Sequence, residues 1–191
     1  MATVNAETNL DANKQEKLST EQLTALNGLF NVEILKSLVF GIPTLLVALT
    51  FIYMTRTAIT SEFDSIWVIF IWLVLLLFSF MFLRVAINNV VNKLEINSAT
   101  EIKSLNGTIS IGVTATGETA ANNEYGYKIV EREFRHYEIF PIDLLYKDRE
   151  KINGKEMIVY YIESVYQPYT SSPLIPYLGK SPMIINYEAI A

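Results

Sequence analysis

The chain has no cysteine. Disulfides, thiolate nucleophiles, zinc–thiolate centres and a lipidated cysteine are therefore excluded. It has one histidine, His136, so any imidazole chemistry would rest on a single side chain. Positive charge is not in excess: 15 Lys+Arg stand against 20 Asp+Glu, a formal net charge of −5. From residue 95 onward, 13 acidic residues face 9 basic ones, and before Lys36 there are 5 acidic and 2 basic residues. A polyanion binder carries a basic face, so nucleic acid is not expected as a partner. A P-loop, a dinucleotide fingerprint and a nucleophile elbow are all missing. No short basic leader precedes the first apolar run, so a cleavable signal peptide is not expected and that run should act as an uncleaved anchor.

Charge is also missing from two long stretches, residues 37–55 and 65–83. Nineteen helical residues rise roughly 28 Å, close to the hydrocarbon thickness of a bilayer. A helix satisfies its own backbone hydrogen bonds, as a lipid environment requires. Residues 32–94 are therefore expected to form a transmembrane hairpin with spans at about 37–55 and 65–84. The short connection between them, Arg56 to Ser65, makes the spans antiparallel neighbours. Lys36, Trp67 and Arg84 are the expected membrane-interface residues. Asp64 or Ser65 should cap the second span. Pro43 either sits in the first turn of the first span or, if the helix begins earlier, lies inside it and kinks it. Lys36, Arg84 and Lys93 flank one side, whereas Arg56 stands beside Glu62 and Asp64 on the other. The positive-inside rule then puts both termini in the cytoplasm, and the membrane is read as a bacterial inner (plasma) membrane. The sequon Asn106-Gly107-Thr108 would matter only if that region were lumenal; Asn-Gly is also a turn signal.

Ahead of the hairpin, residues 1–18 are polar without apolar periodicity and read as a disordered tail. Ser19-Thr20-Glu21-Gln22 fits a capping box. Leu23, Leu26, Leu29 and Phe30 follow at helical spacing, predicting an amphipathic helix over 19–31 that Gly28 and Asn31 would break. Such a helix either lies in the membrane interface or packs on a soluble domain.

Residues 95–191 read as a soluble β domain. Segments 108–113, 155–163 and 183–187 have strand patterns. Segments 125–130 and 134–140 are two strands, or one long strand with a bulge. Residues 142–147 form a helical turn, and Asn153-Gly154 is a tight turn. In 155–163 apolar residues fall on both faces, which marks a central strand. Five short strands suggest a small barrel or sandwich, and closure would remove exposed edges. The fold class expected is membrane α+β: a two-helix transmembrane hairpin followed by a small all-β domain, a barrel of OB or SH3-like type.

The order of two spans, a β segment with Gly154-Lys155-Glu156-Met157-Ile158-Val159-Tyr160-Tyr161, and a closing Ile184-Ile185-Asn186-Tyr187-Glu188 resembles a group of prokaryotic two-span membrane proteins with a C-terminal small β-barrel. It is similar in architecture to the NfeD-like proteins, whose barrel is of the OB type. The resemblance covers residues 37–191, implies a membrane-tethered module and supplies no catalytic residue. The chain departs from that group by a Tyr/Pro-rich excursion at 165–182.

That excursion is the main candidate site. Pro168, Pro173, Pro176 and Pro182 lower the entropy lost on docking, and tyrosines supply amphipathic contact area. Tyr166, Tyr169, Leu174, Ile175, Tyr177 and Leu178 are the candidate protein-interaction residues; the alternative is a loop folded over its own barrel. His136 lies near Glu131, Glu133 and Glu138, but on a continuous strand Glu131 and Glu133 face away from His136 and Glu138. No metal or cofactor is expected. The leading expectation is a non-enzymatic scaffold or accessory module tethered to the membrane, with the lipid bilayer and a protein partner or homo-oligomer as its partners. The alternatives are a subunit of an oligomeric channel or transport complex, and a hydrolase using His136.

Overall fold

The computed structural model of the chain describes residues 6–58, 65–114, 124–130, 132–135, 152–166 and 180–190. It contains three helices, α1 Ala6–Lys14, α2 Thr20–Ala58 and α3 Ser65–Glu95, followed by five strands, β1 Lys103–Thr114, β2 Glu124–Ile129, β3 Arg132–Arg135, β4 Glu156–Tyr166 and β5 Lys180–Ala189. The strands form one antiparallel sheet in the order β3-β2-β1-β4-β5.

Helices α2 and α3 lie side by side. Both contain a segment long and apolar enough to cross a membrane, 20–55 in one and 69–95 in the other, with large apolar side chains facing outward. Gly41 lets them approach: a Cβ there would lie 3.0 Å from the Phe82 Cβ. The Phe40 and Phe82 rings stack at 5.8 Å beside this point.

Two expectations for the N-terminal region are corrected and one open alternative is resolved. Residues 6–14 are helical rather than a disordered tail, with Asn13 bonded to Gln22 of α2 and Asn186 of β5. The helix beginning at the capping box does not stop at Gly28 or Asn31. It runs through 39 residues as one continuous helix, roughly 58 Å of helical rise. Glycine weakens a helix but leaves its hydrogen bonds intact, and the packing of Leu26, Leu29 and Phe30 holds this turn. Those three side chains are buried among sheet residues, so this part of α2 packs on the β domain rather than lying in an interface. Pro43 accordingly sits inside α2, where the Val39 carbonyl loses its usual N–H partner.

The capping box is formed. The Gln22 N–H donates to Ser19 Oγ at 3.0 Å and the Ser19 N–H to Gln22 Oε1 at 3.1 Å.

In the sheet, β4 is an interior strand, flanked by β1 and β5, as its two-sided apolar pattern suggests, while β1 holds the central position. Met157, Val159, Tyr160, Tyr161, Ile162 and Val165 are all buried. Strand β1 is longer than the 108–113 pattern suggests. Its first half, 103–108, pairs with β4 and its second half, 109–114, with β2. Asn106-Gly107 is therefore not a turn but the middle of a strand changing partners. For 125–130 and 134–140, open between two strands and one bulged strand, β2 and β3 are separate strands on either side of Val130, whose φ is 58°; residues 136–140 lie outside the described residues. The predicted turn at Asn153-Gly154 is present, with Gly154 at φ 79° and its N–H donating to the Ile109 carbonyl at 2.8 Å. The two edge strands, β3 and β5, touch. Residues 142–147 lie outside the described residues.

Gly107 has a packing reason to lack a side chain. A Cβ there would meet Val130 Cγ2 at 2.6 Å and Ile129 Cγ2 at 3.2 Å. Val130 is β-branched and already held at positive φ, so it has little freedom to yield. Gly107→Ala should destabilise the domain by about 1–3 kcal/mol, read as a lowered midpoint of thermal unfolding in detergent.

Candidate functional site

Two sets of residues were expected to meet something outside the chain: the membrane-interface set and the Tyr/Pro excursion. The first set lies on the two long apolar helices. Trp67 lies near the start of α3, 68% exposed, with its ring edge-on to Phe70. Arg84 follows 17 residues later, roughly 26 Å along the helix, about the thickness of a hydrocarbon core. On α2, Lys36 is exposed and bonded to Glu33 at 2.9 Å.

Of the second set, Tyr166 is described. Tyr169, Leu174, Ile175, Tyr177 and Leu178 lie outside the described residues, as do His136, Glu131 and Glu138. Both ends of the excursion are tied to the last turns of α3. The Asn92 side chain donates to the Tyr166 carbonyl at 2.7 Å and accepts from the Tyr166 N–H at 2.8 Å. A side-chain amide here takes the place of a neighbouring strand, and Asn92 is buried. At the other end, Lys180 pairs with Glu95, and its Nζ lies 5.0 Å from the Tyr166 ring centroid. Helix α3 therefore sets where the excursion starts and where it returns.

A third, unpredicted cluster joins α1 to the rest. Asn13 and Gln22 exchange side-chain hydrogen bonds at 2.8 and 2.9 Å, and Asn186 of β5 donates to Asn13 Oδ1 at 3.0 Å. Ser19 Oγ bonds Asn9 Oδ1. Asn9, Asn13 and Gln22 are buried. At the rim, Lys14 and Glu188 pair at 2.7 Å, and the Tyr160 hydroxyl donates to Glu188 at 2.7 Å. Only the capping-box half of this cluster had a sequence signal; a polar helix with no apolar stripe gives none.

Electrostatics follow from these pairs. Hydrogen bonds from Lys14 and Tyr160 hold the Glu188 carboxyl below the ordinary 4.5. Burial, then the Glu188 hydrogen bond, raises the Tyr160 hydroxyl above the ordinary 10.0. Burial works to raise Glu163, but Lys103 at 3.2 Å and Arg132 outweigh it, and its carboxyl is lowered. The Arg132 guanidinium also stands 4.6 Å from the Tyr161 ring centroid. Among the described residues no group of three or more metal-ligating side chains converges. No family model, curated protein or solved structure matches the chain.

Two predictions follow from this geometry. Asn92→Ala leaves the Tyr166 N–H and carbonyl without their partner and should cost about 1–3 kcal/mol, measured by denaturant unfolding in detergent. A depressed carboxylate stabilises the fold above its unfolded pKa, and that contribution is lost as pH falls through the folded value. A raised tyrosine stabilises below its unfolded pKa, with the loss coming as pH rises through the folded value. Thermal midpoints should therefore fall as pH drops below 4.5 and again above 10.0. Lys14→Met should flatten the acid limb.

Proposed function

We propose that the chain is a membrane-anchored, non-enzymatic scaffold or accessory module. In this reading α2 and α3 cross the bilayer as a hairpin, and the β domain stands in the cytoplasm, offered to a protein partner. The observation that carries the reading is the continuity of α2. One end is buried with the sheet through Leu26, Leu29 and Phe30; further along the same helix, large apolar side chains such as Leu46 and Leu49 face outward. A domain held this way is oriented relative to the lipid, which suits presentation to a partner.

Lys36, Arg84 and Lys93 on the domain side support a cytoplasmic domain, in a bacterial inner membrane. Closure of the sheet into a small barrel belongs to the same proposal. The strand order and the contact between β3 and β5 are those of an OB-type barrel. The excursion between Tyr166 and Lys180 is the proposed partner-binding element, because α3 fixes both of its ends. The channel reading has less support: no charged residue occurs within 37–55 or 65–83, where an ion pathway would place one.

Two measurements test the proposal. The chain should stay with membranes through alkaline extraction. A partner recovered in mild detergent with the full-length protein should be lost in the triple variant Leu174→Ser, Ile175→Ser, Tyr177→Ser, while the thermal midpoint is unchanged. Release by alkali would overturn the anchoring; an undiminished partner yield would remove the excursion from the interface.

A further inference from the structure

The apolar surface of the hairpin does not end where lipid ends. Helix α3 continues ten residues past Arg84 to Leu94, roughly 15 Å, whereas the headgroup layer is only about 5–8 Å deep. On that extension Ile87, Val90 and Leu94 are 61, 43 and 75% exposed. The hydrogen bond between Lys93 and Asn31, 2.9 Å long, places Val32 of α2 at about the same level. Val32 and Leu35 are exposed there too. Such side chains stand in water in a single copy.

Among the exposed apolar residues of α2, which also include Phe40 and Val47, one series recurs in alternating steps of three and four: Val32, Leu35, Val39, Ile42, Leu46 and Leu49. That is the spacing of a helix–helix seam. Lipid covers Val39 to Leu49 as readily as protein would, but it does not reach Val90 or Leu94. One step before Val32, in the same series, stands Gly28. It is exposed, and nothing in this chain lies within 4 Å of where its Cβ would be. Its own copy gives no reason for a glycine inside a helix, whereas a second helix approaching closely would.

The described ends of the Tyr/Pro excursion, Tyr166 and Lys180, bond Asn92 and Glu95. At about 100° per residue Asn92 lies on the side of α3 opposite Ile87 and Leu94. The nine apolar side chains named on the two helices offer on the order of 800 Å² per copy, the size of a standard stable interface.

We propose that this outer face of the hairpin binds a second copy of the chain, the two hairpins joining within the membrane and along their extensions above it. The inference rests on the anchored-hairpin reading. It names the partner of a surface that reading leaves bare, distinct from the excursion.

The absence of cysteine makes the test direct. Single replacements Leu35→Cys, Ile87→Cys and Val90→Cys, with Lys128→Cys in β2 as control, are treated in native membranes with a short bismaleimide. A monofunctional maleimide confirms that each thiol reacts. Dimer yield at 35, 87 and 90 should exceed that at 128 several-fold, and adding Gly28→Ile should lower it. Equal yields at all four positions, or joining to a protein of another mass, would overturn the second-copy assignment. Alkaline extraction of the same membranes separates the two failures. A chain that stays in the membrane with flat yields sinks only this inference; a chain released by alkali sinks the anchoring as well.

Discussion

Everything in this molecule depends on one helix belonging to two environments. Through Leu26, Leu29 and Phe30, α2 is part of the same core as Ile109, Met157 and Ile184. Further along it exposes large apolar residues such as Leu46 and Leu49. Gly28 and Pro43 are both inside the helix, and neither ends it. The β domain is therefore joined to the apolar part of α2 by continuous helix rather than by a loop.

A second coupling acts at the C-terminal end of α3, level with the first. Asn92 completes the end of β4 with its side chain, and Glu95 holds the first residue of β5. Both strands bordering the Tyr/Pro excursion are thus referred to α3. Burying an amide is unfavourable unless its hydrogen bonds are met, and Asn92 meets donor and acceptor alike. The Asn13–Gln22–Asn186 group follows the same rule and uses it to fix α1 against β5. Polar side chains in this protein specify which elements meet; the apolar core supplies the drive.

Much of the plan was readable from composition and periodicity. The two apolar runs announce themselves because they contain no charge, and the interior strand β4 because both its faces are apolar. The capping box at Ser19 and the turn at Gly154 follow from local backbone chemistry. What escaped were features made by distant partners. Helix α1 has no apolar stripe, and the residues that satisfy it, Asn186 and Glu188, are some 170 positions away. Asn106-Gly107 looks like a turn because the dipeptide usually is one. Here the glycine serves a close approach of Val130 instead. Of the candidate interaction residues, only Tyr166 falls in the described strands, and its anchoring by Asn92 could not be read from either residue alone.

The bond between Asn13 and Asn186 also sets a schedule for synthesis. Residues 13 and 22 leave the ribosome long before residue 186 is made, and by then both apolar helices have emerged. Until β5 exists, α1 has only its bonds to Ser19 and Gln22, and Phe30 has only part of its core. The polar start of the chain waits for its far partners while the domain is made. Contact between α1 and β5 is then a late event, and a chain stalled before residue 186 would lack the Asn186 and Glu188 bonds that fix its N-terminal helix.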